Sequence, residues 1–254
     1  MARHTAWRTG GTVDAWVVAH GVDAVDRMVA DCAKAKWQWR PVGACTRTVW
    51  GERAPHGVVV RLGVGFQGVE RIDDGGVWRV GAAVPMPALA TTVASAGFGG
   101  ADRFVDAIGT VGASLALDDG WDAHVIDVDF LARGKRRTGT LAEARSSRVV
   151  LGARLRWNRE TTDRATARLR AAWAKALPGR WVSAPAKRSV RTVVRQTTLE
   201  RVRLRAAAIP PEAPEMLVNL GGATPADLQL LHKSVIERVA RLRGLDLSPH
   251  IRFT

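Results

Sequence analysis

The groups in this sequence that can do chemistry are an imidazole near the end and a few small-residue turns carrying a hydroxyl. His250 lies in the closing segment "GLDLSPHIRFT" (244–254), between a proline and an Ile-Arg-Phe run. A histidine changes charge near neutral pH, so it can move a proton or ligate a metal. This one has no sequence-adjacent acidic partner, and the six histidines show no metal-ligand spacing, so no metal site is expected. "VGACTRTVW" (42–50) and "AIGTVGASLA" (107–116) are turns able to aim backbone N–H groups at a phosphate. Taken alone, each is more often a plain tight turn. Two in one domain suit a diphosphate cradle, with Thr46, Arg47, Gly109, Thr110 and Gly112 as its candidate residues. "GVGFQG" (63–68) matches the dinucleotide pattern G-x-G-x-x-G literally, yet "VERIDDGGVWRV" follows it and reads as a hairpin. A pyrophosphate needs a helix N-terminus there, so this match is rejected. No serine sits in a nucleophile elbow. The chain holds no tyrosine, which closes any mechanism that uses a phenol.

The elements that must position these groups follow from periodicity. "DAWVVAH" and "WQWRPVG" read as strands on either side of a helix over "VDAVDRMVADCAKAKW", with Val25, Met28, Val29 and Cys32 on one face. "HGVVVRL" is a buried-type strand, and the Asp-Gly-Gly of "IDDGGVWRVGAAV" marks a hairpin. "PMPALATTVASAGFGG" is a short helix with Leu89 and Val93 inside, stopping at Gly97. "HVIDVDFLARGKRRT" and "SRVVLGARLRW" alternate as strands. Near residue 158 the composition shifts to a helix with Ala165, Leu169, Ala172, Trp173 and Ala176 inside, ended by Pro178-Gly179. The last helix has Thr224 as N-cap, Pro225 at its first position, Asp227 in its acidic start, and a stripe of Leu228, Leu231, Val235 and Leu242. Gly244 ends it, and "LDLSPHIRF" packs back as a strand. The expectation is an α+β fold in two domains, 1–157 (two α+β lobes) and 158–254.

Bulk properties narrow the function classes. With 46% hydrophobic and 24% charged residues the chain is globular, and no apolar run has membrane-spanning length. Cys32 and Cys45 are too few for a disulfide framework and are read as ordinary thiols. The start of the chain has no leader-like segment, so a cytoplasmic location and no membrane partner are expected. The net charge of +14 suits an anionic partner, but the arginines are spread along the chain, with runs only at 132–137 and 187–205. Aromatic residues are not interleaved with them, which weighs against nucleic acid.

In order, these segments resemble the MurB family, the flavoenzyme UDP-N-acetylenolpyruvoylglucosamine reductases of peptidoglycan synthesis. "HTAWRTGGTVDAW" is similar to that family's opening His-Thr-x-Phe-x-x-Gly-Gly segment. "VGACTRTVW" stands where the family has Leu-Gly-x-Gly-Ser-Asn, and "GTVGAS" where it has Pro-Gly-Thr-Val-Gly-Gly. The most specific stretch is "MLVNLGGATPADLQLLHKSVIERVARLRGLDLSPHIRF", which follows the family's C-terminal helix and closing strand. The resemblance implies an FAD-binding domain of the vanillyl-alcohol-oxidase (PCMH) type followed by a MurB C-terminal-type α+β domain.

The departures from that pattern shape the functional expectation. By the resemblance, Arg180 stands at the family's serine general acid, His250 at its closing carboxylate, Ala184 at an asparagine, and Ala213 at a nucleotide-contacting residue. Its Gly-Tyr-Arg-x-Ser-x-Phe loop is missing. One positioned acid or base contributes on the order of 10²–10⁴ in rate, and an arginine has no proton to give. Loss of the reductase reaction is therefore expected, with no catalytic residue assigned. In the first loop Ala44 and Cys45 replace glycines and Arg47 replaces asparagine; a left-handed side chain costs roughly 1–2 kcal/mol. Two such costs weaken binding by about a hundredfold, although Arg47 can pair a diphosphate. Asp118 and Asp119 add negative charge beside the second loop. The expectation is no stoichiometric cofactor, with FAD if the ancestral cradle is kept. The reading is a pseudoenzyme that binds or scaffolds an unknown protein partner, with the cell-wall synthesis machinery suggested by family association. Two alternatives stand beside it: a flavin- and NADPH-dependent reductase rebuilt around Arg180 and His250, and a nucleic-acid binder working through the 187–205 arginines.

Overall fold

A computed structural model of the chain describes all residues except 54–55, 119, 148, 177–181, 184–188 and 200. In chain order the elements begin with β1 (Ala15–Ala19), α1 (Val22–Lys34), β2 (Trp39–Val42), β3 (Thr48–Val49), β4 (Val58–Leu62), β5 (Val69–Arg71) and β6 (Val77–Gly81). They continue with α2 (Met86–Ser95), β7 (Phe98–Gly99), α3 (Val111–Leu117), β8 (Val125–Ala132), β9 (Lys135–Gly139), α4 (Leu141–Arg145) and β10 (Val149–Arg156). Next come β11 (Asn158–Arg159), α5 (Thr162–Lys175), β12 (Val182–Ser183) and α6 (Val190–Gln196). The chain closes with β13 (Arg203–Leu204), β14 (Ala207–Ala208), β15 (Val218–Asn219), α7 (Pro225–Arg243), β16 (Ser248–Pro249) and β17 (Arg252–Phe253). Two compact units result, one of residues 13–44 and 56–178, the other of 1–12, 45–55 and 179–254. Sequence composition suggests a single cut near 158; the packing crosses between units at 12/13, 44/45, 55/56 and 178/179.

The unit of residues 13–44 and 56–178 has two lobes. One is a parallel sheet in the order β1-β4-β2, in which α1 makes the crossover from β1 to β2. A parallel pair cannot be joined by a tight turn, which is why a helix must intervene. Val25, Met28 and Cys32 recur at i, i+3 and i+7 and are the buried side of α1. The other lobe is an antiparallel sheet in the order β5-β6-β10-β8-β9. Its core joins Val80, Val128, Phe130 and Leu155 to Leu89 and Val93 of α2, Leu115 of α3, and Trp121 and Trp157. The lobes meet through Ala83, Leu131, Val149 and Leu151, which share a cluster with Val25, Val58 and Val60. α5 packs here too, with Ala165 and Leu169 buried. Trp173, expected inside, is 37% exposed, because the buried face of this helix narrows toward its C-terminal end.

The central glycine of "GVGFQG" has a plain structural explanation. Gly65 donates to the His20 carbonyl, and a side chain there would overlap that oxygen, so the segment is a close approach of backbone to backbone.

The other unit is built on α7, whose Leu228, Leu231, Val235 and Val239 pack against Val193 and Val194 of α6, Ile209, Leu217 and Ile251. Thr224 and Asp227 form a reciprocal capping box, Pro225 opens the helix, and Gly244 closes it at φ 60°. Leu242 lies on the same face, seven residues after Val235, but is 52% exposed, since the packed part of that face ends at Val239. The closing segment forms two short bridges in place of one strand, β16 with β12 and β17 parallel to β3. α6 and the small β13-β14-β15 sheet have no counterpart in the sequence-derived elements.

Candidate functional site

The loop after β2 comes against the start of α3. A Cβ at Gly43 would lie 2.7 Å from Thr110 Oγ1 and 3.1 Å from Ala113 Cβ, so only hydrogen fits between the two turns. The second turn, expected as a simple small-residue turn, opens a helix. Thr110 is its N-cap, and its hydroxyl accepts from the Ala113 N–H at 3.5 Å. Gly109 turns the chain at φ 144°. Gly112 lies against Ala82, where a Cβ would sit 2.6 Å from the Ala82 methyl group.

A helix N-terminus attracts anions because its first N–H groups lack intrahelical partners. Here they have other partners. Val111 N–H donates to Val84 O at 2.9 Å and Gly112 N–H to Ala82 O at 2.9 Å, while Ala113 N–H goes to Thr110 Oγ1. The first turn of α3 is thus stitched to the β6–α2 connection. At its other end, the Ser114 hydroxyl donates to Asp118 Oδ2 at 2.7 Å and accepts from Trp121 Nε1 at 3.0 Å. Arg145 Nε donates to Leu115 O at 3.1 Å, and its Nη2 to Asp118 O. Neither Ser114 nor Arg145 is prominent in the sequence, although the Ser-x-x-x-Asp spacing, one helical turn, is the signal that would have found the first contact.

Close by, His124 is buried against Phe104 and Trp157, with ring centroids 4.5 Å apart for the latter. Its Nδ1 lies 3.1 Å from the Arg156 carbonyl and its Nε2 3.4 Å from Arg103. Burial pushes its pKa below the usual 6.5, outweighing the hydrogen bond to Arg156. A neutral ring packed among aromatics fills space and ties β10 to the turn at 121–124.

The remaining candidates, apart from Ala44 and Asp119, fall in the other unit. Cys45 is buried and held at φ 51°, whereas Ala44 has no positive φ, so one side chain and not two is held left-handed. That strain belongs to the folded chain itself, and it falls on folding, not on ligand affinity. The Arg47 carbonyl accepts from Arg252 N–H at 2.8 Å, and Thr46 and Arg47 both have further partners. His250 sits half-buried between β16 and β17, also with partners of its own. Arg180, Ala184 and Asp119 lie outside the described residues. Ala213 is in a turn, its N–H donating to Pro210 O at 3.1 Å. Asn219 of the Leu-Val-Asn motif is a staple. Its Nδ2 donates to Trp7 O at 2.8 Å, and its Oδ1 accepts from Gly221 and Ala223 N–H at 2.9 and 3.1 Å.

A family profile described as an FAD binding domain matches residues 13–120. The UDP-N-acetylenolpyruvoylglucosamine reductase of Heliobacterium modesticaldum is 25% identical over 99% of this chain and 88% of its own. The same-named protein of Caulobacter vibrioides is 33% identical, over 56% of this chain and 47% of its own. The crystal structure of MurB from Thermus caldophilus shares the fold, with a TM-score of 0.79 at 20% identity, over 99% of this chain and 96% of that one. The chain is similar to the MurB reductases along nearly its whole length. Its fold is accordingly an FAD-binding-type domain joined to a MurB-type α+β domain.

FAD is the group this family fold implies, and the residues present can be tested against it. A flavin diphosphate carries two negative charges that need N–H or cationic donors. Within the unit of residues 13–44 and 56–178, the α3 N-terminus gives its N–H groups to protein oxygens, Thr110 Oγ1 is committed to Ala113, and the gap from Gly43 to Thr110 is closed. The retained MurB glycines serve close packing of the lobes. These residues do not fit a diphosphate.

Proposed function

We propose that this MurB-like chain is a non-catalytic relative that keeps the two-unit body as a binding or scaffolding module, and that its process is peptidoglycan synthesis. The observation that carries this reading is the commitment of the Val111, Gly112 and Ala113 N–H groups to Val84 O, Ala82 O and Thr110 Oγ1. The family resemblance supports it from the other side, since Arg180 and His250 stand where the serine and the carboxylate would be. No positioned acid at those places means no contribution of on the order of 10²–10⁴ from proton transfer. The process follows from the relatives, which are named UDP-N-acetylenolpyruvoylglucosamine reductases.

The test is an absorbance spectrum of freshly purified chain, then the same protein with added FAD, NADPH and the enolpyruvyl substrate. The expected outcome is a colourless protein, no flavin retained after desalting, and no substrate-dependent NADPH oxidation. A flavin band together with substrate-dependent NADPH oxidation overturns the proposal and favours a reductase rebuilt around Arg180 and His250.

A further inference from the structure

A second concave site lies away from the β2–α3 turns, at the opposite end of the parallel lobe. Ligand loops of parallel sheets gather at the C-terminal ends of the strands, and this groove opens at the start of β2, beside the end of α1. Its other wall is the β8–β9 hairpin with α4. The cavity measures about 860 Å³, a volume in the range of nucleotide-sized ligand sites.

Its lining combines one exposed indole with guanidinium groups. Trp37 is 49% exposed and forms part of the wall beside Trp39. Across from them stand Arg133 and Arg137; among the described residues neither is within 4 Å of a carboxylate, although Arg137 is near enough to Glu143 to help hold its pKa down. Several arginines of the antiparallel sheet do pair, Arg136 with Asp26 at 3.3 Å, Arg79 with Glu70 at 3.1 Å, and Arg154 with Asp127. Arg133 also occupies an unusual backbone. It and Gly134 form the two-residue turn at φ 51° and 74°, a place that favours asparagine or glycine. The only carboxylate among the described lining residues, Glu143, has its Oε2 held by Thr140 N–H at 2.7 Å and Thr140 Oγ1 at 2.9 Å, as part of the α4 cap. Ser146 and Ser147 donate to helix carbonyls at 2.7 and 2.6 Å, which leaves their oxygens as acceptors facing the groove.

The geometry points to a nucleoside phosphate as the ligand of this groove, the base stacked on Trp37 and the phosphates paired by Arg133 and Arg137. Every base offers a π-face to an indole, and guanidinium matches phosphate oxygens in a bidentate way. Aliphatic anions would use the arginines without the indole, and neutral aromatics the indole without the arginines. This site is independent of the flavin cradle and of whether the chain is catalytic.

The experiment is calorimetric titration of the full chain with ATP and with UTP, alongside adenosine, inorganic triphosphate and a single-stranded oligonucleotide. Binding of both nucleotides in the micromolar range is expected, with adenosine and triphosphate each at least about tenfold weaker, since each lacks one of the two contacts. Arg133→Ala, Arg137→Ala and Trp37→Ala should each weaken nucleotide binding by about tenfold or more. All three side chains are at the surface, and circular dichroism reports whether the fold is kept. No nucleotide binding up to millimolar concentration, or binding of the oligonucleotide alone, overturns the proposal. So does binding that ignores these substitutions and is lost in Arg47→Ala, which would place the nucleotide elsewhere.

Discussion

His232 shows how a single side chain can set a pH dependence. It lies 7% exposed on α7 with its ring 5.1 Å from that of Phe253, and burial pushes its pKa from 6.5 to about 4. In the unfolded chain the ring takes up a proton near pH 6.5, while in the fold it resists until about pH 4. Between those values the unfolded state binds more protons, so stability falls on acidification at up to about 1.4 kcal/mol per pH unit. The melting temperature should drop between pH 6.5 and 4, and His232→Leu should flatten that part of the profile. Asn219 makes a different kind of claim. Removing its amide in Asn219→Ala strands the Trp7 carbonyl and the Gly221 and Ala223 N–H groups. A loss of about 1–3 kcal/mol is expected in urea unfolding, with Asn219→Asp milder because it keeps the acceptor. The Asn was visible in the sequence as a family motif, but its role as a staple to residue 7 spans more than two hundred residues and is a fact of tertiary structure.

Among elements, the contrast between α7 and α3 is instructive. α7 carries its own instructions: cap, proline, acidic start, stripe and terminal glycine are all local, and the structure places each as read except Leu242, the exposed last member of the stripe. α3 has only seven residues, and beyond its local cap Thr110 its end groups are satisfied from elsewhere, by the carbonyls of residues 82 and 84 at one end and the Arg145 side chain at the other. No window of sequence contains those partners, so the segment reads as a turn. α6 escaped notice for a similar reason. Its anchor is Glu215, fully buried, which holds Arg191 through contacts of 2.6 and 3.3 Å. The hydrogen bonds to Glu215 hold the Arg191 guanidinium above its already high ordinary pKa. Arg191→Met leaves that carboxylate buried alone and should destabilise the chain by roughly 2–3 kcal/mol, somewhat below a fully buried pair because the arginine is half open to water. The double change Arg191→Met with Glu215→Gln should recover part of the loss in the same unfolding measurement.

On the scale of the whole molecule, the charge of +14 is the most conspicuous property and the least directly informative. Arg71, Arg79, Arg136, Arg154, Arg168 and Arg191 are each paired to a carboxylate, so these guanidinium groups are already engaged within the chain. Non-specific binding to duplex DNA should therefore be weak, and lost by about 0.2 M salt, because a few scattered phosphate contacts give a shallow total affinity. Retention of submicromolar affinity at that salt concentration, measured by fluorescence anisotropy, would show a continuous basic face that this distribution does not supply.

The sequence alone carries the α+β class, the helices α1, α2, α5 and α7, the main strands of the parallel and antiparallel sheets and the resemblance to the MurB reductases, because each rests on local periodicity, local caps or ordered motifs. It also identified Gly109, Thr110 and Gly112 as a special turn. Only the tertiary structure decided what that turn can do, since whether an N–H is available to a ligand depends on which carbonyl lies opposite it. Those carbonyls, at Ala82 and Val84, come from a connection some thirty residues upstream. The discontinuous units and the groove between Trp37 and Arg133 have the same origin: hydrogen bonding and burial are properties of neighbours in space, and chain order sets those neighbours only through the fold.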